Sequence, residues 1–163
     1  MLASSLNDTA QRIVRRNVYR GHDNVITIRA DRLRYDSHKS VGPLKWSLVD
    51  KARVAIRSYA EYLDWLSDVT ANTGTDGYTP PAEPAFSVLH ESTNLSGGVF
   101  NIETSQVEDG AIALRLGLAT TQPDVGDYDV RLVAWERGGD LSPTTVLHER
   151  REDVRLVISF LDS

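Results

Sequence analysis

The residues of this 163-residue chain whose types could do chemistry are four histidines, three close pairs of acids and a scatter of serines. His22, His38, His90 and His148 sit at unrelated spacings, and no His-x-x-x-His or His-Glu pair matches a metal-ligand geometry. Isolated surface histidines are the reading they support. The acidic pairs are Glu108/Asp109, Asp127/Asp129 and Glu152/Asp153. A glycosidase needs two carboxylates facing each other across a sugar ring, which adjacency in sequence does not provide. Asp127 and Asp129 flank Tyr128 on the expected solvent face of a strand, where carboxylates serve solubility. Asp124, Asp127 and Asp140 are turn acids that could meet calcium, but the Asp-x-Asp-x-Asp-Gly loop is missing. No metal and no cofactor are expected.

The glycine pairs Gly97-Gly98 and Gly138-Gly139 read as hairpin turns, without the following helix that a phosphate cradle needs. No serine sits in a Gly-x-Ser-x-Gly elbow. Asn94-Leu95-Ser96 matches a glycosylation sequon, which carries meaning only on a secretory route. Trp46, Trp65 and Trp135, with six tyrosines, could form a sugar-stacking platform, although aromatics more often fill cores and interfaces. The chain reads as non-enzymatic.

Composition narrows the class further. A chain of this length fits one domain with appendages, and 40% hydrophobic residues suffice for a core. The absence of cysteine removes disulfides, thiolate metal sites and cysteine nucleophiles. No signal peptide is read at the N-terminus and no apolar run approaches the ~20 residues that span a bilayer, so no membrane partner is expected. The net charge of −5 hides an asymmetry. Residues 1–60 hold 12 Lys and Arg against 5 Asp and Glu, whereas the remainder is net −12. Such a split can mark an interaction surface, or folding can interleave the two parts and mix the charges.

The elements that must position these residues are mainly strands. In Gly126–Trp135, Tyr128, Val130, Leu132 and Ala134 alternate with Asp129, Arg131, Val133 and Trp135, the signature of a half-buried strand. Ile112, Leu114, Leu116 and Leu118 alternate after an Asp109-Gly110 turn, and Val154, Leu156, Ile158 and Phe160 do so again. Three strands with one apolar face each require a second layer. Further strands are expected at 24–28, around Val54 and Ile56, and at 86–89, with Val99, Phe100 and Ile102 leading into the Asp109-Gly110 turn. Asp31 to Gly42 is polar and loop-like. After Ile56 the spacing of Tyr59, Tyr62, Leu63, Leu66 and Val69 turns helical, predicting a strand that runs into a short helix. A longer helix over 48–69 is the competing reading. Residues 72–84, rich in Gly and Pro, form a long loop, and 59–84 is therefore an insertion in a domain spanning 18–163. Residues 1–17 read as a short helix or ordered arm, with Ser4 and Ser5 as candidate caps. Arg12, Arg15, Arg16 and Arg20 make its far end basic. The arm docks either on a neighbouring subunit or on its own domain. Nucleic acid is not expected as its partner, because the remainder is acidic and no recognition motif accompanies it.

Several stretches together resemble a known family. They are Gly21–Ile28, Ala52–Arg57, Val99–Ile102, Ile112–Gly117 after the Asp109-Gly110 turn, and Gly126–Leu132. They resemble the small immunoglobulin-like domains of tailed-phage virions, including the N-terminal domains of some baseplate upper proteins. A Leu-Gly … Gly-x-Tyr element before a long strand recurs there. The resemblance spans most of residues 20–160 and departs from the family at the basic arm and the Tyr59–Pro84 insertion. It implies an all-β, immunoglobulin-like antiparallel sandwich. It also implies a structural protein of a capsid, neck or tail, made in the bacterial cytoplasm and built into the virion. Its partners would be other virion proteins and further copies of itself. The resemblance carries no catalytic residues. The candidate contacts are Arg12, Arg15, Arg16, Arg20 and Trp65. The alternative is a carbohydrate- or receptor-binding sandwich with Trp65 and Trp135 as stacking aromatics.

Overall fold

A computed structural model describes residues 12–33, 40–96, 98–102, 110–118, 122–136, 144–148 and 154–162. Strands dominate, in two sheets. The first is built on β8 (Gly126–Glu136), which pairs antiparallel with β4 (Val49–Ser58) along one edge and with β10 (Val154–Leu161) along the other. Outside β4 lies β5 (Ser87–Ser92), antiparallel; outside β10 lies β1 (Arg12–Tyr19), parallel. The second sheet runs β6 (Phe100–Asn101), β7 (Ala111–Leu114), β2 (Ile26–Leu33), with β3 (Ser40–Pro43) on the far part of β2. A short strand, β9 (Thr144–His148), pairs with both β8 and β2 and so joins the sheets. The result is an all-β sandwich, with one α-helix among the described residues.

The alternation in the sequence builds the core. Val130, Leu132 and Ala134 of β8 face inward at 5%, 0% and 0% exposure. They meet Leu156, Ile158 and Phe160 of β10, Val54 of β4, and Ile28 and Leu114 from the opposite sheet in one apolar cluster. Trp46, just ahead of β4, is buried in the same cluster. Each such side chain contributes about 1.5–3 kcal/mol by leaving water. At Gly110, φ is +77° and a Cβ would stand 2.4 Å from the Ala30 carbonyl oxygen, so glycine is required there. Its own C=O accepts the Ala30 N–H at 2.8 Å.

β4 runs straight into α1 (Tyr59–Asn72), so the strand-to-helix reading holds and the long helix over 48–69 does not. The switch sits at Ser58, whose Oγ accepts the Glu61 N–H at 3.3 Å in a Ser-x-x-Glu cap. Tyr59 and Tyr62 lie on the buried side of α1 and cover Val157 on the outer face of β10. Residues 73–86 then cross without helix or strand, as their composition predicts.

Four expectations need correction. Residues 12–17 are not helical: they begin β1, held by eight register pairs to β10, and the strand crosses the 17/18 boundary drawn from sequence. Residues 1–11 of that arm lie outside the described residues. The polar stretch 31–42 is strand at both ends, in β2 and β3, because backbone pairing tolerates polar side chains at a sheet margin. The strand after Gly110 stops at Leu114, and Leu116–Leu118 forms a 3-10 turn. The structure also adds β9, whose Thr144-Thr145-Val146 run favours a strand but is not among the strands expected from sequence.

Candidate functional site

Among the described residues, a dense group of charged side chains lies on the outer face of the first sheet, under α1. Register places Arg57 of β4 directly opposite Asp129 of β8, and Asp129 opposite Val157 of β10. Asp129 is therefore not a solvent-facing, solubilising acid. It is 2% exposed, and Arg57 is 8% exposed. Arg57 Nε donates to Asp129 Oδ2 at 2.9 Å, and its Nη1 donates to Glu83 Oε1 and to the Pro84 carbonyl, each at 2.9 Å. Arg155 Nη1 donates to the same Asp129 oxygen at 2.8 Å, and its Nη2 donates to Tyr62 Oη at 2.9 Å. The two guanidinium groups lie over the Tyr62 ring at 4.2 and 4.3 Å. The Phe86 ring in turn has the Arg57 guanidinium at 4.3 Å and that of Arg131 at 4.2 Å. The buried carboxylate is thus balanced by two cations whose donors find further partners, the condition under which buried charge is tolerated. What this arrangement does chemically is fasten: it ties α1 and the 80–86 segment onto three strands.

The candidate residues fall in two places. Arg12, Arg15, Arg16 and Arg20 come together on β1 and its first following residue. Arg12 opens the strand opposite Val154. Arg15 Nη1 meets Asp127 Oδ2 at 3.3 Å, and its guanidinium lies 5.8 Å from the Tyr59 ring centre. Arg16 donates to the Arg15 carbonyl at 3.2 Å. Arg20 Nη1 meets Asp162 Oδ1 at 3.2 Å, while its buried Nε has no hydrogen-bond partner among the described residues. Trp65 stands elsewhere, on α1, where its Nε1 donates to the Pro81 carbonyl at 3.0 Å and its ring tilts against Tyr62 at 6.0 Å. Trp65 therefore helps anchor the 80–86 segment. Trp135, the other stacking candidate, has Lys51 Nζ at 4.1 Å and Arg53 at 4.8 Å over its ring.

An open groove of about 360 Å³ lies beside Arg15, between the start of β8 and the first turns of α1. Asp127, Tyr59, Leu63, Val125 and Tyr128 line it, and Leu63 and Val125 are 42% and 49% exposed.

His90 departs from the surface reading. Its ring packs on buried Phe100 at 5.3 Å, and burial lowers its pKa. His22 contributes through its backbone, taking the Asn24 N–H at 2.9 Å in the turn after β1. His38 lies outside the described residues.

Sequence reasoning passed over Arg57, Arg155 and Tyr62. The available signal was an arginine on the outer side of two different strands flanking an acid on a third. That pattern means something only once the strand order is known. No protein-family model matches the chain, and no curated protein matches it.

Proposed function

We propose that this chain is a non-enzymatic structural protein of a tailed-phage virion, built on an immunoglobulin-like sandwich and assembling through contacts with other virion proteins. The observation that carries the structural part is the clamp around Asp129. This cluster of charge serves rigidity, holding a helix and a long segment against the sheet face. Rigid modules with exposed margins suit particles held together by many repeated contacts.

Strand order supports the immunoglobulin-like part. The order β5-β4-β8-β10 corresponds to C′-C-F-G, and β6-β7-β2 corresponds to D-E-B. Tyr128 stands at the start of β8 and donates its hydroxyl to the Asp124 carbonyl at 2.9 Å, the bond that defines a tyrosine corner. Trp46, in the short turn that leads into β4, is buried in the core on the approach to the strand that would correspond to C, the strand that carries the core tryptophan of immunoglobulin domains. The Leu116-Gly117 … Gly126-Asp127-Tyr128 element on which the phage resemblance rests supplies this corner. Native mass by light scattering, over protein concentration and salt, tests the assembly reading. A defined oligomer, or growth with concentration that salt weakens, is expected; protein mass spectrometry of purified particles should then find the chain in fixed stoichiometry. Particles that lack it would overturn the proposal.

A further inference from the structure

We infer that the outward edge of β1 is a strand-addition site for an extended, acidic segment of another polypeptide. This deepens the assembly reading above and rests on it.

The strands at the sheet margins are not equivalent. β5 has a register break opposite Val54 and Ala55, a bulge of the kind that spoils an edge for further pairing. β6 has two residues, and β3 has four with a register shift against β2. β1 has eight residues in unbroken register with β10. Its backbone direction follows from one bond. Arg20 N–H donates to the Leu161 carbonyl at 2.8 Å, so residues of even number turn their peptide groups toward β10. Alternation then turns the N–H and C=O of Ile13, Arg15 and Asn17 away from the sheet, where the Arg15 C=O accepts an exposed bond from the Arg16 side chain that an added strand would replace. No described strand lies beyond them. The site ends at Tyr19, whose carbonyl is taken by the His22 N–H and the Asn24 side chain in the turn.

Charge decides the occupant. Residues 12–20 hold four arginines and no acid. Antiparallel pairing with a second β1 would set arginine against arginine, which is unfavourable across a strand pair. Glutamates or aspartates there would be favoured. The Arg15–Asp127 and Arg20–Asp162 pairs are exposed and therefore weak, and a guanidinium with five N–H groups can take a second carboxylate. On the outer face Ile13 and Tyr19, 41% and 40% exposed, stand at the two ends of the strand. The matching segment alternates acidic and apolar residues.

The test is a titration of the full chain with a labelled peptide of about ten residues that alternates Val and Glu, beside its Val-Lys counterpart. Fluorescence anisotropy should show the acidic peptide binding at least about tenfold more tightly, with the difference shrinking in salt. The amide signals of Ile13, Arg15 and Asn17 should shift while those of β5 do not. Asn17→Pro removes an outward N–H without touching the β1–β10 ladder; it should keep the melting temperature and lose binding. Equal binding of the two peptides, shifts confined to β5, or no binding by the wild-type chain would each overturn the proposal. So would an oligomer of the chain alone that Asn17→Pro dissolves, because a second copy would then occupy the edge. An oligomer indifferent to Asn17→Pro, with no peptide bound, would leave assembly standing and remove this site. Peptide binding by a chain absent from particles would do the reverse.

Discussion

Asp129 is the residue on which most of the outer sheet face depends. Its carboxylate answers Arg57 and Arg155 at once, at 3% side-chain exposure, so removing it leaves two cations facing each other in a poorly solvated space. Asp129→Ala should cost about 3–5 kcal/mol in urea unfolding, the range for breaking a buried pair from one side. His90 supplies a pH dependence of separate origin. Burial lowers its folded pKa below the ordinary value of 6.5, so protonation favours the unfolded chain. Its contribution is complete above that value and is lost as pH falls through the window down to the folded pKa. Neighbouring Glu91, held low by its hydrogen bond to Arg53, keeps its charge through that window and loses its contribution only at more acid pH. The urea midpoint of the wild type should therefore fall between pH 7.5 and 5.5, and His90→Gln should flatten that slope. An unchanged slope in the variant would refute the assignment.

At the scale of elements, the turn after β1 and the 3-10 turn at Leu116–Leu118 are built against each other. Gly117 C=O accepts the Gly21 N–H at 2.8 Å and the Gln122 side chain at 2.6 Å. A Cβ on Gly117 would stand 2.2 Å from the His22 carbonyl oxygen and 2.9 Å from that of Tyr19. Both are backbone atoms fixed by neighbouring bonds, so Gly117→Ala must push the turns apart. The expected cost is about 1–3 kcal/mol, read as a lowered urea midpoint. Amide protection should fall first in the His22–Asn24 turn. The leucine and glycine of this element were visible as a motif, but the reason for the glycine was not. Its neighbours come from a turn nearly a hundred positions earlier in the chain.

For the whole molecule, β1 changes where the chain can be cut. A truncation of residues 1–17 would strip most of an edge strand from β10 and take away the partners of Leu156 and Ile158, which are buried. Removing residues 1–11 alone keeps all of β1 and so isolates the docking role read for the arm. If the removed segment docks on a neighbour, light scattering will show a smaller species for that truncation. An unchanged native mass would assign no docking role to the arm. The sequence by itself determined the elements whose pattern is local: β8, β10 and the turn at Gly110. Each depends on the periodicity of burial along one segment or on a single backbone angle. For β4 and the helix that follows it, a single long helix over 48–69 stayed open until the structure decided. Only the tertiary structure decided which strands are neighbours. The stretch 1–17 mixes arginines with apolar residues and reads as a short helix or an arm; the pairing of Arg12–Tyr19 with β10, over a hundred residues away, makes that part a strand. Asp129 alternates onto an outer face that is usually wet; α1 and the 80–86 segment fold back over it and make the position dry. Burial on the second face of a sheet depends on what lands there, and long-range packing alone sets that.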